Sequence, residues 1–364
     1  MRNTKLFALL CIYLFAGICE TAAQTISEPI TTIAFGSCAR ERKEQPVWQD
    51  ILAQDPQLML LIGDAMYADF WIKDGKMGMR PVPNVERIRE AYDALGQKKG
   101  YQTLKQTCPI MATWDDHDYG ANDMGNDFDL RKESQLEFIR FYGFDSDHPI
   151  NQQQGVYHSQ IFGPQGKRTQ IIMLDTRYHR DPLVPNENRT RGLGPYKATD
   201  DTSTTVLGDV QWKWFEDQLK QDADVRIIAS SIQVVADDHG WETWGNFPHE
   251  RDRLYKLIET TGAGGVVFVS GDRHVMEINC DDVRTSGYPI WDFTSSGLTQ
   301  DSQKFEEANQ FRVGPVKREL NFGIIKIQWS ENGLPTRVHL EGYGTGGKLI
   351  TRQTLLLAAL QPRK

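Results

Sequence analysis

Short apolar segments recur along this chain, and six of them end in polar residues of the kinds that bind metal ions or phosphate. These segments cover residues 32–35, 58–62, 110–113, 171–174, 225–229 and 266–269. Their lengths are typical of strands that are buried on both faces. Because open α/β sheets place their sites at the carboxyl ends of such strands, we expect the polar residues that follow them to meet at one rim.

Helical spacing of apolar residues separates several of these segments. Asn84 is a suitable cap for a helix that runs to Leu95, with Gly96 and Gly100 as interruptions. Further helices are predicted at residues 131–142, 207–219 and 248–262. The tail instead predicts antiparallel strands at residues 322–329, 337–341 and 349–356, with turns at 332–333 and 344–347. The polar stretch 180–209 is too long for a simple connection, which indicates a surface loop or lid beside the site.

The composition fits a packed globular protein and gives no sign of a nucleic-acid-binding surface. The 364 residues are 39% hydrophobic, which suffices for one large domain or two small ones. Charged residues are interleaved, the net charge is −8, and no basic block occurs. An acidic protein that handles an anionic substrate needs a local positive centre, and bound cations are the simplest source of one.

The first 23 residues have the pattern of a secretory signal peptide. Arg2 and Lys5 precede an apolar stretch at residues 6–18, and small residues at 21–23 resemble a cleavage site. This pattern predicts cleavage, a single domain over residues 24–364, no stable membrane anchor in the mature protein, and a secreted or periplasmic location. An uncleaved membrane anchor is the alternative.

Three cysteines remain after the predicted cleavage: Cys38, Cys108 and Cys280. An odd number leaves at least one thiol unpaired or coordinated in an exported protein. Cys108 and Cys280 can pair with each other, and the sequence leaves that pairing open. Cys38 lies at the expected rim, which favours a metal thiolate.

The first rim residues suit a transition metal. Asp64 lies on a tight Gly-Asp turn, where a carboxylate can bridge two ions. Cys38 and Tyr67 add a thiolate and a phenolate. This combination indicates a Lewis-acidic ion such as ferric iron or zinc.

The later rim residues suit a second ion. Asp116 and Asp272 are hard oxygen ligands for calcium, magnesium or manganese. His274 follows Asp272 by two residues, so both side chains can face one cluster. Two adjacent cations hold a water as hydroxide and bind the oxygens of an in-line displacement, which favours phosphoester hydrolysis.

Three further residues, His117, Asp118 and Arg177, form the predicted catalytic set. His117 is interpreted as the acid that protonates the leaving oxygen, with Asp118 as the carboxylate that orients it. Arg177 can bind phosphate, or it can pair with Asp175 as part of the structure.

The ordered motifs resemble those of the PhoD-like (alkaline phosphatase D) metallophosphoesterases. They are Phe-Gly-Ser-Cys at 35–38, Gly-Asp-Ala-Met-Tyr-Ala-Asp at 63–69, Trp-Asp-Asp-His-Asp at 114–118, Leu-Asp-Thr-Arg at 174–177, Ser-Gly-Asp-Arg-His at 270–274 and Phe-Thr-Ser-Ser-Gly-Leu-Thr at 293–299. The resemblance implies an α/β fold with four layers, α/β/β/α, in which two mixed sheets are flanked by helices. It also implies hydrolysis of phosphomonoesters or phosphodiesters outside the cytoplasm by an iron and calcium centre.

The resemblance also implies roles for individual residues. The iron would be held by Cys38, Asp64, Tyr67 and His274. Asp64 would bridge, and Asp116 and Asp272 would serve the calcium side. The wider superfamily has an Asn-His-Asp/Glu string where this chain has residues 116–118, which supports the acid role of His117. The N-terminal β-domain and the long C-terminal segment of larger members have no evident counterpart here, so substrate access is expected to differ.

These observations predict an exported, monomeric phosphoric ester hydrolase with a dinuclear metal centre and a small-molecule phosphate ester as its substrate. Iron and calcium are the expected ions, with zinc, manganese and magnesium as alternatives. A phospholipid phosphodiesterase of the phospholipase D type is an alternative, suggested by the aromatic residues at 241–247. A non-catalytic cation-binding module is another.

Overall fold

The computed structural model describes residues 27–362, except residues 74–75, 191, 285–286, 303–306, 332 and 335. The predicted signal peptide and Asn332 of the predicted Asn332-Gly333 turn therefore lie outside the described residues. Within the described part of the chain, no helix combines the length and the apolar character that a membrane span needs.

Strands and helices alternate along the chain, as the apolar pattern predicts. The strands are β1 (Thr32–Gly36), β2 (Leu58–Ile62), β3 (Phe70–Lys73), β4 (Lys76–Met79), β5 (Ile110–Thr113), β6 (His158–Phe162), β7 (Thr169–Met173), β8 (Val184–Pro185), β9 (Tyr196–Lys197), β10 (Val225–Ser230), β11 (Val266–Ser270), β12 (Met276–Asp281), β13 (Ile290–Ser295), β14 (Arg312–Lys317), β15 (Asn321–Gln328), β16 (Arg337–Gly344) and β17 (Lys348–Leu356). The α-helices are α1 (Val47–Leu52), α2 (Val85–Gly96), α3 (Lys99–Thr107), α4 (Asp116–Tyr119), α5 (Arg131–Tyr142), α6 (Gly208–Leu219) and α7 (Pro248–Thr261).

The long strands form two mixed sheets. The first has the order β17-β16-β15-β1-β2-β5, in which β1, β2 and β5 are parallel. The second has the order β14-β12-β13-β11-β10-β7-β6, in which β13, β11, β10 and β7 are parallel. The remaining pairs in both sheets are antiparallel. In each sheet, the parallel strands therefore end along one edge, where the residues that follow them lie side by side.

The alternation of side chains along β1 shows how the layers stack. Ile33 and Phe35 belong to the core that also contains buried residues of the second sheet, α6 and α7. Ala34 points to a second core, formed with α1, α2, α3 and α5. Because successive strand residues face opposite sides, the order of layers is helices, first sheet, second sheet, helices. The predicted four-layer α/β/β/α sandwich is confirmed.

Several helices begin or end at residues that the sequence predicts as capping or terminating residues. Asn84 accepts a hydrogen bond from the backbone N of Arg87 at 3.3 Å, which caps α2. Gly143 and Gly262 end α5 and α7 in the left-handed region, at φ 75° and 69°. The structure also contains elements that the apolar pattern did not predict, among them the four-residue helix α4 and the hairpin β3–β4.

Candidate metal centre

The site lies where the parallel carboxyl ends of the two sheets meet. The backbone N of Ser37, after β1, donates to the carbonyl of Ser295 in β13 at 3.2 Å. At the end of β5, the hydroxyl of Thr113 donates to the carbonyl of Leu174, after β7, at 2.7 Å. These bonds join one sheet to the other directly beside the residues that follow the strands. The predicted convergence at one rim is therefore present.

The chain reaches the rim through sharp turns with an unusual backbone. Cys38, Asp64, Asp272 and His274 have φ values of 63°, 52°, 66° and 53°. The left-handed region costs a residue with a Cβ about 1–2 kcal/mol. Gly63, which precedes one of these turns at φ 104°, has no room for a side chain, since a Cβ there would lie 2.5 Å from that of Asp115. Strain of this kind, concentrated at one edge, is typical of functional sites.

Four side chains from both sheets form the first cluster. The thiol of Cys38 lies 3.4 Å from Asp64 Oδ2, and the hydroxyl of Tyr67 donates to the same oxygen at 3.1 Å. Tyr67 also lies 3.3 Å from Nε2 of His274. The hydroxyl of Ser296 lies 3.2 Å from Cys38 Sγ and accepts from the backbone N of His274 at 2.8 Å. The set predicted for a transition metal is therefore assembled, with Ser296 as an additional support.

A second group of carboxylates adjoins the first. Potential ligand atoms of Asp64, Asp116 and His117 lie within 4.8 Å of one another, and so do those of Asp115, Asp116 and Asp272. Cys38, Asp64 and His274 satisfy the same criterion. Asp64 and Asp116 thus each belong to two of these three groups. The arrangement allows adjacent ions to share Asp64, as the sequence predicted, and adds Asp115 as a potential ligand.

The electrostatics of the site fit bound cations. Burial raises the pKa of Asp64 well above its usual value, and the neighbouring carboxylates of Asp116 and Asp115 raise it further, although His117 opposes them. Burial and the charge of Asp115 likewise raise the pKa of Asp272. Asp115 Oδ2 is buried and has no hydrogen-bond partner among the described residues. Cations would compensate the carboxylates and use this oxygen.

Burial favours the neutral form of each remaining ligand candidate, and only for the histidine is the neutral form the one that binds a metal. Burial, together with the charges of His117 and Arg273, lowers the pKa of His274 to about 3, which keeps its imidazole neutral as a ligand must be. Burial and the charge of Asp64 raise the pKa values of the Cys38 thiol and the Tyr67 hydroxyl. Both groups must release a proton to bind a metal, so metal binding competes with protons here.

His117 is held by a carboxylate that the sequence interpretation did not single out. Its Nδ1 lies 2.8 Å from Asp69 Oδ1, and its ring stacks on Tyr67 with centroids 4.1 Å apart. Asp118, the predicted orienting group, instead accepts from the backbone N of Met66 at 3.0 Å and of Asp115 at 3.2 Å. Asp69 is the last residue of the motif at 63–69, but the sequence interpretation gave it no role.

Arg177 lies beneath the site and not at its surface. The side chain is fully buried, and its guanidinium pairs with Asp115 and, at 2.7 Å, with Glu242. Asp175 contacts Arg177 through the backbone, because its Oδ1 accepts from the Arg177 N at 2.8 Å. Glu242 also pairs with Arg180 at 2.9 Å. The structure therefore favours a role for Arg177 in holding Asp115 over direct contact with phosphate.

Another guanidinium lies at the ligands themselves. Arg40 lies over the ring of Tyr67, 4.7 Å from its centroid, and over that of Phe70 at 4.4 Å. Its Nε is buried without a hydrogen-bond partner among the described residues. Arg40 follows Cys38 by two positions, but nothing in the sequence distinguishes it from the other arginines after strands.

The long segment at residues 180–209 lies beside the site, as predicted. It contains the short pair β8–β9, and the hydroxyl of Tyr196 in β9 donates to Asp123 Oδ2 at 2.6 Å. The backbone N of Asp123 in turn donates to Asp116 Oδ2 at 2.8 Å. The segment therefore supports one of the ligand candidates.

The structure bears on two alternatives from the sequence. Of the aromatic residues that suggested a lipid substrate, Trp244 and Phe247 are buried in the core between the second sheet and its helices, whereas Trp241 is half-buried with Arg273 5.0 Å from its ring centroid. Cys108 and Cys280 are both free, so the pairing that the sequence left open is not formed.

Comparison with known proteins agrees with the geometry. The family described as PhoD-like phosphatase matches residues 33–328. The chain belongs to this family. Membership confirms the resemblance seen in the motifs and the predicted class, since this is a family of phosphoric ester hydrolases. The relationship to metallophosphatases implies metal ions, for which the acidic and histidine groups above are suitable.

Similarity to individual relatives is more distant. Alkaline phosphatase D of Bacillus subtilis (strain 168) is 22% identical over 275 residues, which are 68% of this chain and 46% of the relative. A solved structure of PhoD is 15% identical with a TM-score of 0.67, covering 92% of this chain and 74% of that one. Purple acid phosphatase PPD1 from yellow lupin (Lupinus luteus) seeds is 12% identical with a TM-score of 0.57, covering 91% of this chain and 55% of that one. The chain spans less than half the length of the curated relative, and the structural matches show a shared fold.

Proposed function

We propose that this protein is an exported phosphoesterase that hydrolyses small phosphomonoesters or phosphodiesters at a centre of two metal ions. The observation that carries the proposal is the connected series of buried ligand candidates that share Asp64 and Asp116. A structural cluster of acids would be expected to pair with arginine or lysine. Here, Asp64 and Asp272 are buried beside other carboxylates, which favours cations as their partners.

The ligands that we propose follow the chemistry of their donor atoms. Iron would be held by Cys38, Asp64, Tyr67 and His274, because thiolate, phenolate and imidazole favour a transition metal. Calcium would be held by Asp116 and Asp272 beside the shared Asp64, because it prefers hard oxygen ligands. Zinc, manganese and magnesium remain candidates for these positions. When bound, such cations lower the pKa of water and neutralise charge on phosphoryl oxygens.

The protein's own groups then bind the ester and move a proton. Arg40 presents a guanidinium beside the ligands, where it can bind a phosphoryl oxygen. Burial opposes the charged form of His117, whereas Asp116, Asp64 and Asp69 raise its pKa; of these three carboxylates, Asp69 would still favour the protonated ring once cations neutralise the other two. Because Asp69 contacts Nδ1, Nε2 is the atom that can donate to the leaving oxygen.

Turnover and metal content, measured together, test this function and separate it from a non-catalytic cation-binding module. The substrates are p-nitrophenyl phosphate and bis(p-nitrophenyl) phosphate, which represent monoesters and diesters. We expect His117→Gln to retain the metal and to lose about 10²- to 10⁴-fold in kcat, the usual contribution of general acid catalysis. His179→Gln, outside the ligand clusters, is the control and should keep both properties. The proposal fails if wild-type protein with bound metal hydrolyses neither ester.

The proposed export rests on the signal-like pattern of residues 1–23. Protein recovered from the periplasm or the medium should begin at Gln24 when its N-terminus is sequenced. Recovery of the chain from the cytoplasm alone, with Met1 intact, would contradict export.

A further inference from the structure

Tyr196 is connected to one of the ligand candidates through a single residue. Its hydroxyl donates to Asp123 Oδ2 at 2.6 Å, and the backbone N of Asp123 donates to Asp116 Oδ2 at 2.8 Å. The other carboxylate oxygen of Asp116 accepts from the backbone N of His117 at 2.9 Å. Because a carboxylate oxygen has two lone pairs, each oxygen of Asp116 keeps one for a cation while the hydrogen bonds fix its direction.

Asp123 donates to Asp116 from a backbone conformation that needs support. Its φ of 55° lies in the left-handed region, which is costly for a residue with a Cβ. The hydroxyl of Tyr196 holds the side chain of Asp123, and the guanidinium of Arg180 donates to its carbonyl at 2.5 Å. Outer residues that orient a ligand in this way influence how tightly a metal site binds. Without the Tyr196 hydroxyl, Asp123 should therefore turn away from Asp116 more easily.

Strand β9 holds Tyr196 in place through backbone contacts. Tyr196 pairs with Pro185 of β8, and its backbone N donates to the Gly240 carbonyl at 2.9 Å. The backbone N of Gly194 donates to the His239 carbonyl at 2.8 Å. Gly194 has no room for a side chain, since a Cβ there would lie 2.1 Å from the carbonyl oxygen of Gly240. Close packing of two backbone segments thus determines where the Tyr196 hydroxyl lies.

The hydrogen bonds described above for the ligands of the transition metal instead join these residues to one another and to Ser296. We propose that Tyr196 is a positioning residue for the second cation. Through Asp123 it holds Asp116 in the orientation that binds this cation, so the β8–β9 pair sets the affinity of the second site and leaves that of the transition-metal site nearly unchanged. The inference rests on the part of the proposed function that makes Asp116 a ligand.

Ca²⁺ binding tests the positioning role without any ester present. The test variant is Tyr196→Phe, which removes only the hydroxyl. The matched control is Tyr288→Phe, because the hydroxyl of Tyr288 also donates at 2.6 Å, to the Ala263 carbonyl, where β11 and β13 begin. Each protein, loaded with its transition metal, is dialysed against graded concentrations of free Ca²⁺, and elemental analysis counts both metals. We expect Tyr196→Phe to bind Ca²⁺ about 10- to 100-fold more weakly, with the transition-metal content and the thermal unfolding midpoint of the control.

Gly194→Ala provides a second variant in the same segment. Its Cβ would press on the Gly240 carbonyl and displace Tyr196 without removing the hydroxyl, so Ca²⁺ should again bind more weakly. Because both changes act through one contact, the double variant should bind Ca²⁺ no more weakly than the more affected single variant. Hydrolysis of bis(p-nitrophenyl) phosphate by Tyr196→Phe should need correspondingly more Ca²⁺ and reach the wild-type kcat at saturation, which a general loss of structure would not allow.

The inference is overturned if Tyr196→Phe binds Ca²⁺ as tightly as the wild-type protein, if it loses both metals together, if Tyr288→Phe weakens Ca²⁺ binding equally, or if the effects of Tyr196→Phe and Gly194→Ala add in full. Absence of Ca²⁺ uptake by the wild-type protein would overturn it as well. If the wild-type protein binds both metals but hydrolyses neither ester, the proposed function fails, and the comparison of Ca²⁺ affinities still decides the role of Tyr196.

Discussion

Single residues of the same type perform different tasks at this site because their surroundings differ. Burial opposes the charge of Asp116, but His117 and Arg177 hold its pKa at about 2, so it is an anion that can bind a cation. Burial raises the pKa of Asp118 to about 8, although two backbone N–H groups oppose the shift. At neutral pH, Asp116 is therefore an anion and Asp118, two positions later, is mostly neutral. This difference separates a ligand candidate from a structural group.

Exchanging the carboxylate that holds His117 tests its positioning role. Asp69 accepts from His117 through Oδ1 at 2.8 Å and from the backbone N of Asn122 through Oδ2 at 3.0 Å. An amide in Asp69→Asn can satisfy only one of these donors, so the imidazole loses its fixed orientation. We expect kcat to fall about 10- to 100-fold while KM and metal content stay unchanged. Steady-state kinetics on the metal-loaded variant measures this.

Asp118→Asn is the matched control, because it makes the same change at a carboxylate that accepts from two backbone N–H groups, those of Met66 and Asp115. This variant should lose about 1–3 kcal/mol of unfolding free energy, with a smaller effect on kcat. An equal loss of kcat in both variants, or a rise in KM with Asp69→Asn, would contradict the positioning role.

The sequence revealed the types of residue at the site better than their contacts. Cys38, Asp64 and Asp272 follow apolar segments, so their place at the rim could be predicted from chain position. The contact between His117 and Asp69 joins residues 48 positions apart, and no spacing rule predicts it. Arg177 and Arg40 both follow strands, and only packing shows that Arg177 is buried below the ligands.

At the scale of elements, predictions succeeded where the local signal was strong. The helix predicted at residues 131–142 has those bounds, because it combines apolar spacing with a terminal glycine. Helix α4 is too short for any periodicity to appear, and it forms because Asp115 and Asp118 cap it. The hairpin β3–β4 alternates apolar residues that remain exposed, and a pattern that assumes burial does not identify it.

The left-handed end of α5 provides a test of element stability. Gly143 has φ 75°, and no described atom lies within 4 Å of the position its Cβ would take. Gly143→Ala is therefore expected to lower the unfolding free energy by about 1 kcal/mol from backbone strain alone, measured by urea denaturation. Gly287 also has open space and lies outside the left-handed region, so Gly287→Ala should be neutral or slightly stabilising. Equal effects of the two substitutions would argue against the strain.

At the scale of the whole molecule, the two sheets make a site that neither makes alone. Cys38, Asp64 and Asp116 follow strands of the first sheet, whereas Asp272 and His274 follow β11 of the second. The family motifs predicted this architecture, but the packing of one sheet on the other was not visible in any single segment. Metal binding should consequently require the folded pair of sheets.

The stability of the whole chain should fall in acid through a histidine that is not a member of the ligand clusters. Burial and the nearby His148 lower the pKa of His158 to about 4, against a bond from its Nδ1 to the Val156 carbonyl at 2.9 Å. The unfolded chain has the ordinary pKa of about 6.5. Between these values the unfolded state binds more protons, so the unfolding free energy decreases as the pH falls from 6.5 to 4.

Urea denaturation of His158→Asn across this window checks the prediction. The variant cannot take up this proton. Its unfolding free energy should therefore decline less over the window than that of the wild-type protein, and the difference between the two declines should be at most about 3 kcal/mol. His179, whose Nε2 lies 3.3 Å from the Gln154 carbonyl at the surface, provides the control. A slope in His158→Asn as steep as that of the wild-type protein and His179→Asn would contradict the assignment.

The central claim is that Asp64 joins two cations in a phosphoesterase centre, and the metal-to-protein ratio of Asp64→Ala tests it most directly. Elemental analysis of the purified wild-type protein should give two metal ions for each chain, in keeping with two adjacent sites. The variant should contain less than one, because both sites lose a ligand. A variant that keeps the full wild-type complement of metal would contradict the account.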